Sequence, residues 1–387
     1  MGAGVLTRGK TDAGASGHPQ AHFDALNSLR GVCALLVACF HFHVLGVIYG
    51  LPIVRYGWMF VDFFFVLSGF VVSHAYARRL AEHRIGIPRF LVLRLGRIYP
   101  LHLFVLLLLV AIEIARSAGL GERPAFDEAH SVPAILTNLA LLQSMGVHGG
   151  NTWNGVSWSI AAEMWAYLLV ALVIAIWPRR ALTLFAGAGV LSLLVLLRFS
   201  ERGLDATYDL GTWRAILGFT LGVLVQAAYV AGLRVRGTAA EIAASVAPLL
   251  FVSWVHAGAG TFLVLPLFAF AVLVFAAQSG WISRCLAARF PTFLGTISYS
   301  IYMTHGLVQL LAFEVIKRVG PAYGFTFGVG AKGDDIAAPP IAGDLVVLAT
   351  IGGTIVLSAM TYRYVEVPAR NWVRALAERR NGTLKVG

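Results

Sequence analysis

Two histidines lie inside apolar runs of the sequence. His41 follows Arg30 by eleven residues in the first run, and His305 lies in a later run after several hydroxyl side chains. Eleven residues of continuous helix span about 16 Å, so we expect His41 near the middle of its run. Polar groups at that depth face a bundle interior or a wet cavity, and histidine transfers protons near neutral pH. We predict that both are catalytic, the alternative being a hydrogen bond between helices.

Two carboxylates stand near the starts of other apolar runs. Glu163 comes four residues after Ser159, so the two side chains share one helix face. A carboxylate one turn inside such a run is costly unless it pairs, and we predict that Glu163 is a third catalytic residue that accepts a proton or holds a hydroxyl. Asp62, Trp158 and Ser159 are predicted to orient the acceptor. The structural alternatives are helix-dipole stabilisation of the acids and an interface anchor for Trp158.

Three arginines suit the binding of an anionic donor. Arg94 and Arg97 are three residues apart within an apolar run, so their guanidinium groups share a helix face. Arginine binds phosphate in a planar, bidentate manner, and this pair with Arg30 is predicted to hold a phosphate-bearing donor. The alternative for such arginines is anchoring at a membrane surface.

The composition places most of the chain in lipid. Hydrophobic residues make up 58% of the 387 residues, only 13% are charged and the mean hydropathy is +0.77, whereas soluble domains are roughly a quarter charged. The net charge of +11 is spread in short clusters between apolar runs, which favours membrane orientation over nucleic-acid binding. The three cysteines have no spacing typical of a disulfide frame or a metal site, so we predict no metal and no tightly bound cofactor.

Ten apolar runs are long enough to cross a bilayer, which needs about 20 residues per helix. The sequence therefore predicts an all-α, polytopic transmembrane helix bundle. A further apolar stretch, 131–145, is too short and is predicted to be re-entrant or interfacial. The ten predicted spans are 28–49, 57–77, 91–116, 159–177, 181–198, 212–231, 238–255, 260–279, 293–316 and 343–363.

The distribution of Lys and Arg predicts the orientation of these spans. With the N-terminus in the cytoplasm, 21 of the 30 Lys and Arg residues lie inside, as the positive-inside rule requires. An eleventh span would move the C-terminal basic cluster outside. We therefore predict an inner (plasma) membrane protein with both termini cytoplasmic, comprising a disordered tail at 1–22, a transmembrane domain at 23–375 and a basic tail at 376–387.

Six motifs follow one another along the chain. They are Leu29-Arg30-Gly31 with His41, Val61-Asp62-Phe63-Phe64-Phe65-Val66-Leu67-Ser68-Gly69-Phe70, Arg94-x-x-Arg97-Ile98-Tyr99-Pro100, Trp158-Ser159 with Glu163, Ser298-Tyr299-Ser300-Ile301-Tyr302 with His305, and Glu366-Val367-Pro368-Ala369-Arg370. Together and in this order, they resemble the acyltransferase-3 family of membrane O-acyltransferases. One departure is Met164, because many family members carry a second acidic residue directly after the one that Glu163 matches.

The resemblance implies transfer of an acyl group, acetyl in the simplest case, from cytosolic acyl-coenzyme A to a hydroxyl of a surface glycan such as exopolysaccharide or O-antigen. It also implies that Arg30 and His41 are essential. The expected partners are membrane lipid, acyl-coenzyme A as co-substrate and a carbohydrate acceptor, while homo-oligomerisation is left open. The competing interpretation is a non-enzymatic transporter or flippase of a lipid-linked glycan, since buried His and Glu also suit such a pathway.

Overall fold

The computed structural model describes residues 23–120, 125–255, 257–329 and 335–383. The predicted tail 1–22 lies outside the described residues, as do the last four residues of the predicted basic tail 376–387. The chain is 79% helical, which confirms a helical polytopic fold. Three short strands were not predicted.

The elements follow one another as long helices joined by short helical and irregular segments. The helices are α1 (Asp24–Phe40), α2 (Val47–Gly50), α3 (Pro52–Arg55), α4 (Phe60–Ala81), α5 (Ile87–Ala115), α6 (Val132–Leu139), α7 (Trp158–Ile176), α8 (Ala181–Phe199), α9 (Gly211–Val230), α10 (Thr238–Trp254), α11 (Val264–Ala276), α12 (Trp281–Leu286), α13 (Arg289–Thr296), α14 (Ser298–Val319), α15 (Pro340–Thr361) and α16 (Val367–Thr383). The strands are β1 (Val44–Leu45), β2 (Thr326–Val329) and β3 (Asp335–Ala337).

Among the described residues, seven helical segments are long and apolar enough to cross a membrane. They contain α4, α5, α7, α8, α9, α11 and α15. The helices α1 and α10 have 17 residues each, so the exact count of ten spans stays a prediction. Helix α6 has only eight residues and a length of about 12 Å, which is too short for a crossing.

Two predicted spans are wrong as single helices. The first, 28–49, ends as a helix at Phe40, because the chain turns there into β1 and the His43 carbonyl accepts a hydrogen bond of 2.8 Å from the Ile336 amide. The span 293–316 is divided at Ile297 between α13 and α14. Gly295, a poor helix former, lies just before this break.

Helices α1 and α13 approach each other so closely that glycine is required on both. A Cβ atom on Gly31 would lie 2.5 Å from the carbonyl carbon of Leu294, and one on Gly295 would lie 2.2 Å from the Asn27 oxygen. Small residues allow this close packing of membrane helices. The contact brings Arg30, next to Gly31, against the start of α14.

Helix α4 lies at the centre of the bundle and packs against α9, α11, α7 and α1. A Cβ atom on Gly69 would lie 2.1 Å from the Phe219 carbonyl oxygen, so this glycine is required where α4 packs on α9. The three strands form one small sheet just after the C-terminal end of α1. In this sheet β3 pairs in parallel with β1 and antiparallel with β2. This small sheet fixes the chain directly after His41.

Candidate active site

The two predicted histidines are in contact. The Nε2 atom of His305 lies 3.2 Å from Nδ1 of His41, and the ring centroids are 4.9 Å apart. His41 is the residue directly after α1, and His305 lies in the second turn of α14. Because α13 and α14 both pack on α1, the break between them brings residues 264 positions apart into one site.

Backbone carbonyls fix the tautomers of this pair. Nδ1 of His41 lies 2.9 Å from the Val37 carbonyl oxygen, and Nδ1 of His305 lies 3.2 Å from that of Ile301. A carbonyl only accepts hydrogen bonds, so in the neutral rings both Nδ1 atoms carry the proton. His305 Nε2 is then the acceptor facing His41. The Nε2 atom of His41 keeps its lone pair and has no hydrogen-bond partner among the described residues.

The backbone at His41 is held from two sides. The Gln309 side-chain amide, one helical turn after His305, donates to the His41 carbonyl. The ring of Phe40 packs edge-on against the imidazole at 4.8 Å. The imidazole position is therefore fixed by α1, α14 and the sheet together.

His41 and His305 line a large cavity of about 740 Å³. We call it the outer cavity after the orientation that the sequence predicts. Its lining combines aromatic rings with polar groups, the mixture that suits the apolar faces and hydroxyl edges of a sugar. The Arg55 guanidinium carbon lies 5.8 Å from the centroid of the Tyr49 ring. The Asn154 side-chain amide donates a hydrogen bond to the Met303 carbonyl. The aromatic side chains of the lining are Phe40, Tyr49, Tyr56, Trp58, Trp158, Tyr208 and Tyr302.

Beneath the outer cavity, Asp62 and Arg214 form a buried ion pair. Arg214 donates from Nε and Nη2 to the two Asp62 oxygens at 2.9 and 2.8 Å, and the side chains are 1% and 0% exposed. The guanidinium also lies between the rings of Trp58 and Trp158, at 5.1 and 5.2 Å. Arg214 lines the outer cavity whereas Asp62 does not, so the geometry of Asp62 supports positioning of Arg214 and the two tryptophans.

The three predicted donor-binding arginines line a second, narrower cavity of about 130 Å³, the inner cavity. Arg30 is anchored by donating to Ser298 Oγ at 2.7 Å and to the Gly295 carbonyl at 3.0 Å. Arg94 stacks over the Tyr167 ring at 4.3 Å, and its buried Nε has no partner. Arg97 makes no side-chain hydrogen bond or ion pair within the described chain, so its guanidinium is available to a ligand.

Glu163 belongs to the inner cavity, where it connects α7 with α4 and α5. Ser68 donates to its carboxylate at 2.7 Å, and the Tyr167 hydroxyl donates to the same oxygen while accepting a hydrogen bond from Arg94. The carboxylate therefore fixes Arg94 through Tyr167. Ser159, on the same face of α7, also lines the inner cavity, so both residues belong to the arginine-lined cavity.

The inner and outer cavities share two wall residues, Val61 and Tyr302. The Tyr302 hydroxyl accepts a hydrogen bond from Ser159 at 2.7 Å and lies 3.1 Å from the Val156 carbonyl. Its ring packs against Phe64 and His305 at 5.8 and 5.9 Å. The arginine-lined inner cavity and the histidine-lined outer cavity thus share Tyr302 as a wall residue.

Sequence reasoning assigned no site role to four residues that the structure places here. Tyr167 follows Glu163 by four residues, and Gln309 follows His305 by four, so helical spacing was a sufficient signal for both. Arg214 lies inside an apolar run, where the depth argument used for His41 also applies. Tyr302 had no such signal, because its importance comes from the meeting of two cavities.

We expect Arg97→Ala to weaken coenzyme A binding with a smaller loss of thermal stability than Arg94→Ala. Loss of one phosphate contact by a guanidinium costs about 1–3 kcal/mol, or about 5- to 150-fold in affinity. Arg97 makes no hydrogen bond to another described residue, and the buried Glu366 that lies near its charge keeps Arg370 as an ion-pair partner. Arg94→Ala should reduce both affinity and stability because Arg94 also supports Tyr167, and Arg94→Lys should restore only part of the affinity. Calorimetric titration of the detergent-purified variants with coenzyme A measures this.

Arg84→Ala is the matched control. This arginine belongs to the same basic segment, but its side chain is 65% exposed and pairs with Glu82. Its loss should leave coenzyme A affinity unchanged. Equal affinities for Arg97→Ala, Arg94→Ala and the wild type would remove the arginine pair from the donor site.

Comparison with known proteins agrees with this architecture. The family profile of acyltransferase 3, described as an acyltransferase domain, matches residues 23–363. The chain is also similar to the "Protein 2 in picA locus" of Rhizobium radiobacter, with 33% identity over 173 residues, which are 42% of this chain and 86% of that protein. No solved structure matches.

The chain therefore belongs to the acyltransferase-3 family. It is an enzyme of the membrane that transfers acyl groups other than amino-acyl groups.

Proposed function

We propose that this enzyme is an O-acyltransferase of the plasma membrane, which transfers the acyl group of cytosolic acyl-coenzyme A to a hydroxyl of a surface carbohydrate. The observation that carries the proposal is the position of His41. Its free Nε2 belongs to a residue that lines the polar, aromatic outer cavity, and this cavity meets the arginine-lined inner cavity at Tyr302. The acceptor chemistry is thus provided in the cavity that His41 lines, and the donor chemistry in a neighbouring cavity that shares the Tyr302 wall.

In the direct route, His41 Nε2 takes the proton of the acceptor hydroxyl while the oxygen attacks the thioester carbonyl. The tetrahedral intermediate collapses with cleavage of the carbon–sulfur bond, and the coenzyme A sulfur leaves with the proton returned by His41. His305 Nε2 accepts the His41 Nδ1 proton in a hydrogen bond and so keeps Nε2 directed at the substrate. Arg30, Arg94 and Arg97 bind the donor, and Glu163 positions Arg94.

A two-step route uses the same atom. Here His41 Nε2 attacks the thioester carbonyl, the carbon–sulfur bond breaks, and the coenzyme A sulfur leaves with the Nδ1 proton. The acyl-imidazole carries the acyl group until the acceptor hydroxyl attacks it and returns its proton to His41. Rapid quench of the enzyme and radiolabelled acetyl-coenzyme A into neutral denaturant, without acceptor, separates the two routes, because an acyl-imidazole hydrolyses quickly in acid. Label on the protein that disappears in His41→Gln indicates the two-step route.

Release of coenzyme A tests the proposed function itself. Purified protein is incubated with radiolabelled acetyl-coenzyme A and an extract of cell-surface glycans, and label is followed into the carbohydrate fraction. We expect labelled, alkali-sensitive ester and stoichiometric free coenzyme A. A transporter or flippase of a lipid-linked glycan would release none, and that result would overturn the proposal.

The same proposal requires ten spans with both termini in the cytoplasm, because the arginine-bearing start of α5 must face the cytosolic donor. We expect a periplasm-only reporter fused after Gly387 to be inactive and a cytoplasm-only reporter at the same point to be active. Fusion of both reporters after Tyr323, in the predicted outer loop before α15, is the control and should give the opposite pattern. Periplasmic activity after Gly387 would contradict the span count.

A further inference from the structure

A third cavity of about 330 Å³ lies beside His41 and differs in chemistry from the other two. We call it the lateral cavity. It lies between α14 and the short strands and is lined mainly by carbon-rich side chains. Its apolar lining residues are Phe42, Val44, Phe313, Ile316 and Ile336.

Most of this lining belongs to a small apolar core of its own. Phe42, Val44, Ile316 and Ile336 are between 1% and 7% exposed and pack with Phe325 and Val347 in one cluster. The β1–β3 ladder pairs Val44 with Ile336 and so fixes the wall of the cavity nearest to His41. This wall is a rigid apolar surface.

The lateral cavity adjoins the residue that we propose as the base. His41, His43 and Gln309 line both it and the outer cavity. A carbonyl carbon placed at His41 therefore has polar, aromatic space on one side and apolar space on the other. The acceptor hydroxyl must approach through the polar space, so the remaining substituent of the carbonyl, its alkyl chain, is directed to the apolar space.

The size of the lateral cavity exceeds what an acetyl group needs. An apolar cavity of about 150 Å³ is sufficient for benzene, and the lateral cavity is about twice as large. A methyl group would leave most of that apolar volume unused. A chain of four to six carbons would contact Val44, Ile316 and Ile336.

We propose that the lateral cavity is an acyl-chain subsite, so that the enzyme accepts butanoyl and hexanoyl groups in addition to acetyl. The inference rests on the proposed acyltransferase function and adds to it the chemical class of the acyl group. Each additional methylene buried there should raise kcat/KM by about fourfold. The gain ends when the chain reaches the end of the cavity.

The test compares acetyl-, butanoyl- and hexanoyl-coenzyme A with the full-length enzyme and a glycan extract that accepts acetyl. The wild type should prefer hexanoyl to acetyl by at least about tenfold in kcat/KM. Ile316→Phe narrows the subsite and should lower the hexanoyl-to-acetyl ratio at least about tenfold. Phe313→Ala widens the subsite and should extend the preference to octanoyl. Phe313 is already 38% exposed, so its replacement should cost little stability.

Val315→Phe is the matched control, because Val315 directly precedes Ile316 on α14 but is 57% exposed. It should leave the chain-length profile unchanged. Two results would overturn the subsite: transfer of acetyl alone by the wild type, or the same chain-length profile for the wild type, Ile316→Phe and Phe313→Ala. In both cases the transfer of acetyl would still support the proposed function. Absence of transfer from every donor would instead overturn the proposed function, and this subsite with it.

Discussion

Replacement of His41 by glutamine is expected to reduce acyl transfer by at least about 10²-fold at saturating donor, the lower end for loss of a general acid or base. Glutamine still donates and accepts hydrogen bonds but takes up no proton. His41→Ala should abolish transfer, and both variants should insert and purify normally, since His41 follows α1 and is only partly buried. Initial rates of ester formation, normalised to folded protein, provide the measurement.

His305→Gln distinguishes the base from the residue that orients it. A glutamine carbonyl can accept the His41 Nδ1 proton in place of His305 Nε2, so the expected loss is that of one imperfect hydrogen bond, about 1 kcal/mol or about fivefold in rate. The loss in His305→Gln should therefore be much smaller than that in His41→Gln. A larger loss of rate in His305→Gln than in His41→Gln would make His305 the base and His41 the residue that orients it. Near-normal turnover by His41→Gln would exclude His41 as the base.

Replacement of Asp62 by alanine is expected to destabilise the protein by about 3–5 kcal/mol, because it leaves the buried Arg214 guanidinium without its counter-charge. Arg214 is 1% exposed and keeps only the Ala206 and Trp58 carbonyls as hydrogen-bond acceptors. Thermal or denaturant-induced unfolding of the detergent-purified protein measures this loss of stability. Glu82→Ala is the control: it breaks the exposed pairs with Arg78 and Arg84, each of which should cost at most about 1 kcal/mol.

A double variant separates structure from function at this pair. Asp62→Leu with Arg214→Met replaces both charges by apolar groups, which for buried pairs is often neutral, so much of the lost stability should return. If Asp62 acts only through Arg214 and the tryptophans, activity should return with stability. Stability that returns without activity would instead support the acceptor-orienting role predicted from the sequence.

The predicted chemistry of the arginines rested on local spacing, and the structure retains that spacing. Arg94 and Arg97 share a helix face because three residues nearly complete one helical turn, and both line the inner cavity. Ser159 and Glu163 likewise share a face of α7. The partners of Glu163 were less predictable, since they depend on how α7 packs against α4 and α5.

The sequence misplaced the ends of two helices for a physical reason. Hydropathy measures how well a segment tolerates lipid and carries no information about a break within an apolar run. The end of α1 depends on pairing between β1 and β3, whose residues are nearly 300 positions apart in the sequence. The break before α14 accompanies the close contact of Gly295 with α1. Neither contact is local.

The sequence by itself determined that the chain is a helical membrane protein, which family it resembles and which ionisable side chains are costly enough in lipid to require partners. These properties follow from composition and from spacing within one helix. Only the tertiary structure decided the partners: His305 with His41, Arg214 with Asp62, and Tyr167 with Glu163. Partners on different helices depend on packing between surfaces distant in the sequence, and so do the cavities that His41 lines.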